Sequence, residues 1–319
     1  MDRTDQIGAK SNRAKGKQIR NKKESKTNRH NLTKSKRKNK IEILIKRTTA
    51  AIFVVLTLAI TYLPGTPSWD DIYAAVGLCS ATQTYELDDL NVFFIDVGQG
   101  DSILVYTEGS SILIDTGSEG NEDKIYRLLK DLDIETLDYL IITHQHEDHM
   151  GSQKGLERRI KISNEIIPSS TSKMSGMTLE LPVNERDKIT LNFLGPIFGS
   201  DNQNNMSLVI KLVYKNTSFL FTGDAEEEEE MSLVRQCGDA LKSDVLKVGH
   251  HGSESSSTMT FLNMVQPKFA VISVGAGNDY GHPHESTLES LKRVGAETRR
   301  TDRDGTVLCT TNGEKVEFK

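Results

Sequence analysis

The chain has 319 residues, 40 Lys/Arg and 45 Asp/Glu, for a formal net charge of −5. That length suits one domain of roughly two hundred residues or slightly more plus an appendage. The charge is unevenly spread: residues 1–48 hold 17 basic and 4 acidic side chains, a net of +13, which leaves −18 for the rest. Three cysteines, Cys79, Cys237 and Cys309, exclude a disulfide-built scaffold. A single Cys237–Cys309 bridge stays open, but ordinary buried thiols are the simpler expectation.

Residues 1–42 form a basic tail, for example Lys34-Ser35-Lys36-Arg37-Lys38, with too few apolar groups to fold alone. Such a tail suits either nucleic-acid binding or the cytoplasmic flank of a membrane segment. Residues 43–63 decide for the second. They are apolar apart from Lys46 and Arg47, whose long side chains can reach the headgroups, and Pro64 and Gly65 stop the helix. The stretch reads as a single membrane-spanning helix or a cleaved signal. Either way the basic flank stays in the cytoplasm and the rest of the chain lies outside the membrane. Residues 64–90 read as a linker with a weak helical patch.

Residues 91–319 form the folded domain. Asn91–Val97 and Ser102–Thr107 are β-rich and joined by Gly98-Gln99-Gly100-Asp101, a hairpin pattern. Ser111–Asp115 is a short strand, and Glu122–Leu132 has helical spacing with an acidic first turn. Leu137–Thr143 is a buried strand. Further strands are expected at Thr190–Leu194, Ser207–Tyr214, Ser218–Thr222, Asp244–Val248 and Ala270–Val274, with helices at Glu226–Cys237, Ser257–Met264 and Ser286–Val294. The Glu226–Glu230 run reads as an exposed helix start. Lys242, Lys247, Arg293, Arg299, Arg300 and Arg303 read mostly as solvated charges. Strands first, then alternating strands and helices, predict an α/β fold of two sheets between helices.

Four potential ligands, His144, His146, Asp148 and His149, lie within six residues at the end of the Leu137–Thr143 strand. Imidazoles with a carboxylate suit zinc, manganese or iron. His144 and His146 can meet one ion, and Asp148 and His149 a second. Phe219-Leu220-Phe221-Thr222 ends in Gly223-Asp224, where Asp224 can bridge two cations or cap the following helix. Val245–Val248 runs into Gly249-His250-His251-Gly252, which offers one more ligand. His282 and His284, on a Gly-Pro loop, can act as general acid or hold a phosphate oxygen. Two cations about 3.5–4 Å apart acidify a shared water and stabilise attacking and leaving oxygens. No Ser or Cys stands in a triad context.

These motifs resemble the metallo-β-lactamase superfamily. Phe94–Ser102, Ile114-Asp115-Thr116-Gly117, Leu246–Ser253 and Tyr280-Gly281-His282-Pro283-His284 further resemble the C-terminal hydrolase domain of the ComEC family, from about Asn91 to Val316. The resemblance implies a four-layer αββα sandwich and a stand-alone relative of that domain, without the many-helix channel. It implies His144 and His146 on one divalent ion (zinc or manganese), Asp148 and His149 on a second, Asp224 bridging, and His251 rather than His250 as last ligand. Asp115 and Asn205 would support the ligands from behind. Asp148, His251, His282 and His284 are the catalytic candidates. Many superfamily members have a histidine where this chain has Asp201–Ser207 without one, so the first ion is expected to be loosely held or hard, such as manganese. The implied activity is DNA cleavage outside the membrane. The alternatives are another surface phosphodiester, or an inactive DNA- or wall-binding module.

Overall fold

The computed structural model describes residues 46–49, 52, 54, 55, 57, 84–168, 174–197 and 199–319. The chain divides into Met1–Ala81 and Thr82–Lys319. In the first unit the described residues are helical, and Ile52, Val54 and Val55 are exposed. Among the described residues no helix is long and apolar enough to cross a membrane. The expected tail, most of the 43–63 stretch and most of the linker lie outside the described residues.

In the second unit, strands alternate their side chains between two faces, and both faces are buried in central strands such as Leu90–Phe94 and Val245–Lys247. β1 (Leu90–Phe94), β2 (Ile103–Tyr106) and β3 (Ser111–Ile114) are antiparallel neighbours, so the expected hairpin is present. β4 (Thr136–Ile141) and β5 (Lys161–Ile166) extend the sheet in parallel. β13 (Val307–Thr311) and β14 (Val316–Phe318) close its other side, giving the order β14-β13-β1-β2-β3-β4-β5. The second sheet runs β12-β11-β10-β9-β8-β7-β6. Its members are β6 (Thr178–Pro182), β7 (Lys188–Gly195), β8 (Val209–Tyr214), β9 (Thr217–Phe221), β10 (Val245–Lys247), β11 (Phe269–Ile272) and β12 (Glu297–Arg300).

Phe94, Ile103, Val105, Ile112 and Ile114 of the first sheet meet Ile210, Phe219, Phe221 and Val245 of the second in one apolar cluster. The alternate residues Phe93, Leu104 and Leu113 point the other way, onto Ile125, Leu128 and Leu129 of α1 (Glu122–Asp131). Leu220 and Leu246 likewise face Leu233 of α4 (Glu227–Cys237), Phe261 and Leu262 of α5 (Met259–Val265) and Leu291 of α6 (Glu285–Arg293). Helices therefore cover both outer faces of the paired sheets, the expected α/β sandwich. Each buried Phe or Leu contributes about 2 kcal/mol of transfer free energy. Short α2 (Glu147–Met150), α3 (Gln153–Glu157) and α7 (Thr301–Asp304) complete the described α-helices of the second unit.

Two expectations are corrected. The Glu226–Glu230 run is not wholly solvated: Glu229 and Glu230 are buried. Glu229 accepts from the Ile197 N–H at 2.8 Å, and Glu230 accepts from Thr258 N–H at 2.9 Å, just before α5. Burial pushes both carboxyls up to about 7. Lys247 is also buried. It shares the inter-sheet face with Val245, two residues back, and sits at the strand's end. Cys237 and Cys309 are free thiols.

Candidate metal centre

The ends of β3, β4, β9 and β10 converge, and each delivers one piece of a polar cluster. Asp115 follows β3 with φ 61°, a left-handed conformation that Asp adopts more readily than most residues. β4 runs on to His144, and His146 precedes α2, which carries Asp148 and His149 on one turn. β9 ends at Gly223-Asp224. Gly223 has φ 50°, and a Cβ there would press on Ser207 at 2.9 Å and Thr143 at 3.1 Å. β10 ends before His250 and His251, both left-handed at φ 47° and 53°. Two successive non-glycine residues in that region cost of order 1–3 kcal/mol each, and such strain gathers at functional sites.

Asp224 is buried at the centre. One of its oxygens lies 3.8 Å from His144 Nε2 and 3.6 Å from His251 Nε2, and the other lies 3.2 Å from His149 Nε2. His146 Nδ1 is 3.0 Å from His144 Nε2, and Asp148 Oδ2 is 3.2 Å from His251 Nε2. Two groups of donor atoms share Asp224, and a third, Asp101, Asp115 and His149, stands behind them. His144, His146 and Asp224 form one; Asp148, His149, Asp224 and His251 form the other, and each is compact enough to hold a metal ion. His149 Nε2 and Asp224 Oδ1 face each other without hydrogen-bond geometry and are buried without a hydrogen-bond partner. Buried polar atoms are rarely left so. Ring nitrogens and carboxylate oxygens that converge without another partner are what a cation requires, so the residues fit a divalent ion.

Behind these atoms stands a layer of supports. Asp115 takes His149 Nδ1 at 2.8 Å and accepts from the Thr143 N–H and hydroxyl, each at 2.7 Å. Asp101, in the β1–β2 turn, lies 3.3 Å from His251 Nδ1, forms an ion pair with Lys247 and donates its N–H to the Asp148 carbonyl at 3.1 Å. Gly100 beside it has φ 133°, and a Cβ there would collide with that same carbonyl. Burial opposes ionisation of Asp101, but Lys247 and His251 hold its carboxyl well below the usual range. Burial pushes the Asp115 carboxyl up against the pull of His149. His144 has only hydroxyls behind it: Thr143 and Ser207 Oγ each lie 3.3 Å from its Nδ1. Burial and neighbouring His149 pull His144 down to about 3. Burial also pulls on His251, but Asp224 and Asp101 outweigh it and raise the imidazole to about 9.

The remaining candidates sit further out. His250 lies 3.8 Å from Asp224 but directs Nδ1 to Glu226 at 3.1 Å and falls outside both donor groups. Asn205 spends its amide on α4, accepting from Glu226 N–H at 2.9 Å and donating to Glu228 at 3.2 Å. Ser207 is the residue of that segment that meets His144 and accepts from the Asp224 N–H at 3.0 Å. The His282 ring is 5.5 Å from the His250 ring and 6.5 Å from the His251 ring. Burial and His250 pull it down to about 4. His284 is one step further away, accepting from the Glu254 N–H at 3.0 Å. The sequence reading missed Asp101 and Lys247 as partners of the site. The signal for Lys247 was a lysine in register with Val245 within a run of buried residues.

The model of the metallo-beta-lactamase superfamily matches residues 95–276. The chain belongs to the metallo-beta-lactamase superfamily. Within it, the chain is 33% identical over 252 residues to ComE operon protein 3 of Bacillus subtilis, covering 68% of this chain and 32% of that protein. It is 30% identical over 269 residues to Competence protein ComA of Neisseria gonorrhoeae, covering 83% and 38%. The chain thus spans about a third of the length of these curated relatives, and the ComEC-like resemblance stands. A solved metallo-beta-lactamase fold protein, YhfI of Bacillus subtilis, is 12% identical with a TM-score of 0.45, covering 72% of this chain and all of that one. The fold is that of a metal-dependent hydrolase, and its His/Asp groups suit divalent metal.

Proposed function

We propose that the chain is a two-metal phosphodiesterase that cleaves DNA. The observation that carries the reading is Asp224, one buried carboxylate shared by two donor groups. His144, His146 and Asp224 would hold one divalent ion, zinc or manganese, and Asp148, His149, His251 and Asp224 the other. When bound, the pair supplies Lewis acidity to a phosphodiester and a nucleophile formed from water near neutral pH. The chain's own part is to fix the donors. Asp115 holds the outer nitrogen of His149, and the Ser273 carbonyl at 3.0 Å holds that of His251 with the Asp101 carboxylate beside it, so that each Nε2 faces inward. His282, near the His251 ring and held neutral by burial and His250, is placed to hold a phosphate or leaving oxygen through its ring N–H. Competence proteins among the relatives support DNA as substrate.

One observation favours a second reading. The −18 charge outside residues 1–48 gives weak attraction for a phosphate backbone, which suits a smaller surface phosphodiester. The test offers the manganese- or zinc-loaded chain linear DNA, bis(p-nitrophenyl) phosphate and a chromogenic β-lactam, beside elemental analysis. DNA and diester cleavage, both lost in Asp148→Ala, supports the reading. Diester cleavage alone supports the second reading, and absence of bound or titratable metal overturns both. We also infer that residues 43–63 anchor the domain outside a membrane, with the basic tail inside. Carbonate-resistant membrane association with a protease-accessible domain on the outer side is the expected result.

A further inference from the structure

We propose that Tyr280 is a stacking platform for a nucleobase flanking the scissile phosphodiester, so that the substrate is single-stranded nucleic acid. This rests on the nuclease reading above. Tyr280 is 67% exposed, which is unusual for so large a ring in this otherwise well-covered domain. It lies against His282 in a stacked arrangement, with centroids 5.7 Å apart and planes at 27°. His282 in turn is 6.5 Å from the His251 ring, so Tyr280 stands one imidazole away from the metal centre.

The backbone that carries the ring is also held in place. The Asn278 side chain accepts from the N–H groups of Tyr280 at 3.1 Å and His282 at 3.0 Å, and donates to the carbonyls of Gly275 at 2.9 Å and His282 at 2.7 Å. An aromatic side chain on a fixed backbone binds a base at reduced ordering cost, and stacking tolerates any base. The charge distribution favours such a contact. Net −18 outside residues 1–48 gives phosphate tracking little to work with, so contacts to the bases would supply affinity for a nucleic acid. A stacked base must leave its duplex neighbours, which selects an unpaired strand or strand end.

The test uses the full chain, loaded with manganese for cleavage and metal-free for binding. The probes are fluorescent oligothymidylate and an abasic oligonucleotide of the same length. Wild type is expected to cleave oligothymidylate and to bind it roughly ten- to a hundredfold more tightly than the abasic strand. In Tyr280→Ala that ratio falls toward one, and Tyr280→Trp keeps it. Equal binding of the two strands by wild type, or a ratio that survives in Tyr280→Ala, overturns the platform while leaving the nuclease reading intact. Cleavage of small diesters but of neither oligonucleotide overturns the nuclease reading and the platform with it.

Discussion

The two donor groups of the centre differ in what stands behind their imidazoles. In the group of Asp148, His149, Asp224 and His251, carboxylates stand behind the rings: Asp115 bonds His149, and Asp101 lies 3.3 Å from His251 Nδ1, which the Ser273 carbonyl also takes at 3.0 Å. In the group of His144, His146 and Asp224, His144 is backed only by the hydroxyls of Thr143 and Ser207. A carboxylate behind an imidazole raises its basicity and fixes its tautomer more firmly than a neutral hydroxyl does. The braced group is thus built to grip an ion and the hydroxyl-backed group to hold one more loosely. The expectation drawn from the missing histidine near Asp201–Ser207 points the same way.

The largest effect belongs to the residue both groups share. Asp224→Ala should abolish binding at both and, with metals contributing several kcal/mol to the transition state, reduce hydrolysis roughly a thousandfold or more. Elemental analysis checks it: retention of one tightly bound ion would show that the groups are independent. Next in size is Lys247→Met, which leaves Asp101 buried without its cation. Breaking one side of a buried pair costs about 3–5 kcal/mol, a fall in Tm of about 10 °C for a domain of this size. Thermal unfolding of the metal-free chain reads it. Asp101→Leu combined with Lys247→Met should recover most of the loss, and failure to do so would remove the pair from the account.

Asp115→Asn separates the groups directly. It should weaken the braced site about ten- to a hundredfold and the hydroxyl-backed site less, through the Thr143 hydroxyl that Asp115 also holds. Competition titration with a chelating dye that resolves two binding steps is the measurement, and equal weakening of both steps would erase the distinction.

The contrast was partly legible in the sequence. The His144–His149 cluster, the strand ending at Asp224 and the strand ending at His251 are local patterns, and each survives as a piece of one site. The braces are not local. Asp101 reaches its partners across the fold, and Lys247 read as a surface charge because composition does not show which face of a strand is covered. Glu229 and Glu230 were hidden in an acidic run for the same reason. The strands missed were mainly edge or near-edge ones. β5 reads Lys-Ile-Ser-Asn-Glu-Ile with little burial, and β12 reads Glu-Thr-Arg-Arg, so neither carries the apolar alternation that marks a strand. Pairing to a neighbour, not their own composition, makes them strands.

Protons should distinguish the groups as well. In the metal-free chain His251 sits at about 9, above its unfolded value of about 6.5. The stability it contributes is therefore full below about 6.5 and is lost as pH rises through 9. His144, depressed to about 3, has the opposite sign: its contribution is present above about 6.5 and fades as pH falls toward 3. An ion must displace the His251 proton and that of His149, which Asp224 and Asp115 raise well above the ordinary imidazole range against the pull of burial, but finds His144 already neutral. Affinity of the braced group should then rise by at least about tenfold per pH unit toward pH 9, while that of the other group rises less steeply. Calorimetric titration at pH 7, 8 and 9 measures both, and parallel pH slopes would contradict the assignment.

The smallest expected effect is the most selective. Ser207 holds the Asp224 N–H at 3.0 Å and lies 3.3 Å from His144 Nδ1, so it acts on the hydroxyl-backed side and on the shared carboxylate. Losing a neutral hydrogen bond of this kind costs about 1 kcal/mol, so Ser207→Ala should weaken the hydroxyl-backed step about fivefold and move the braced step less. Thr143 still faces His144 from 3.3 Å and limits the loss. If instead Ser207→Ala empties the hydroxyl-backed group altogether, that hydroxyl is itself a ligand, and the place of the missing histidine is taken by Ser207 and not by Asn205.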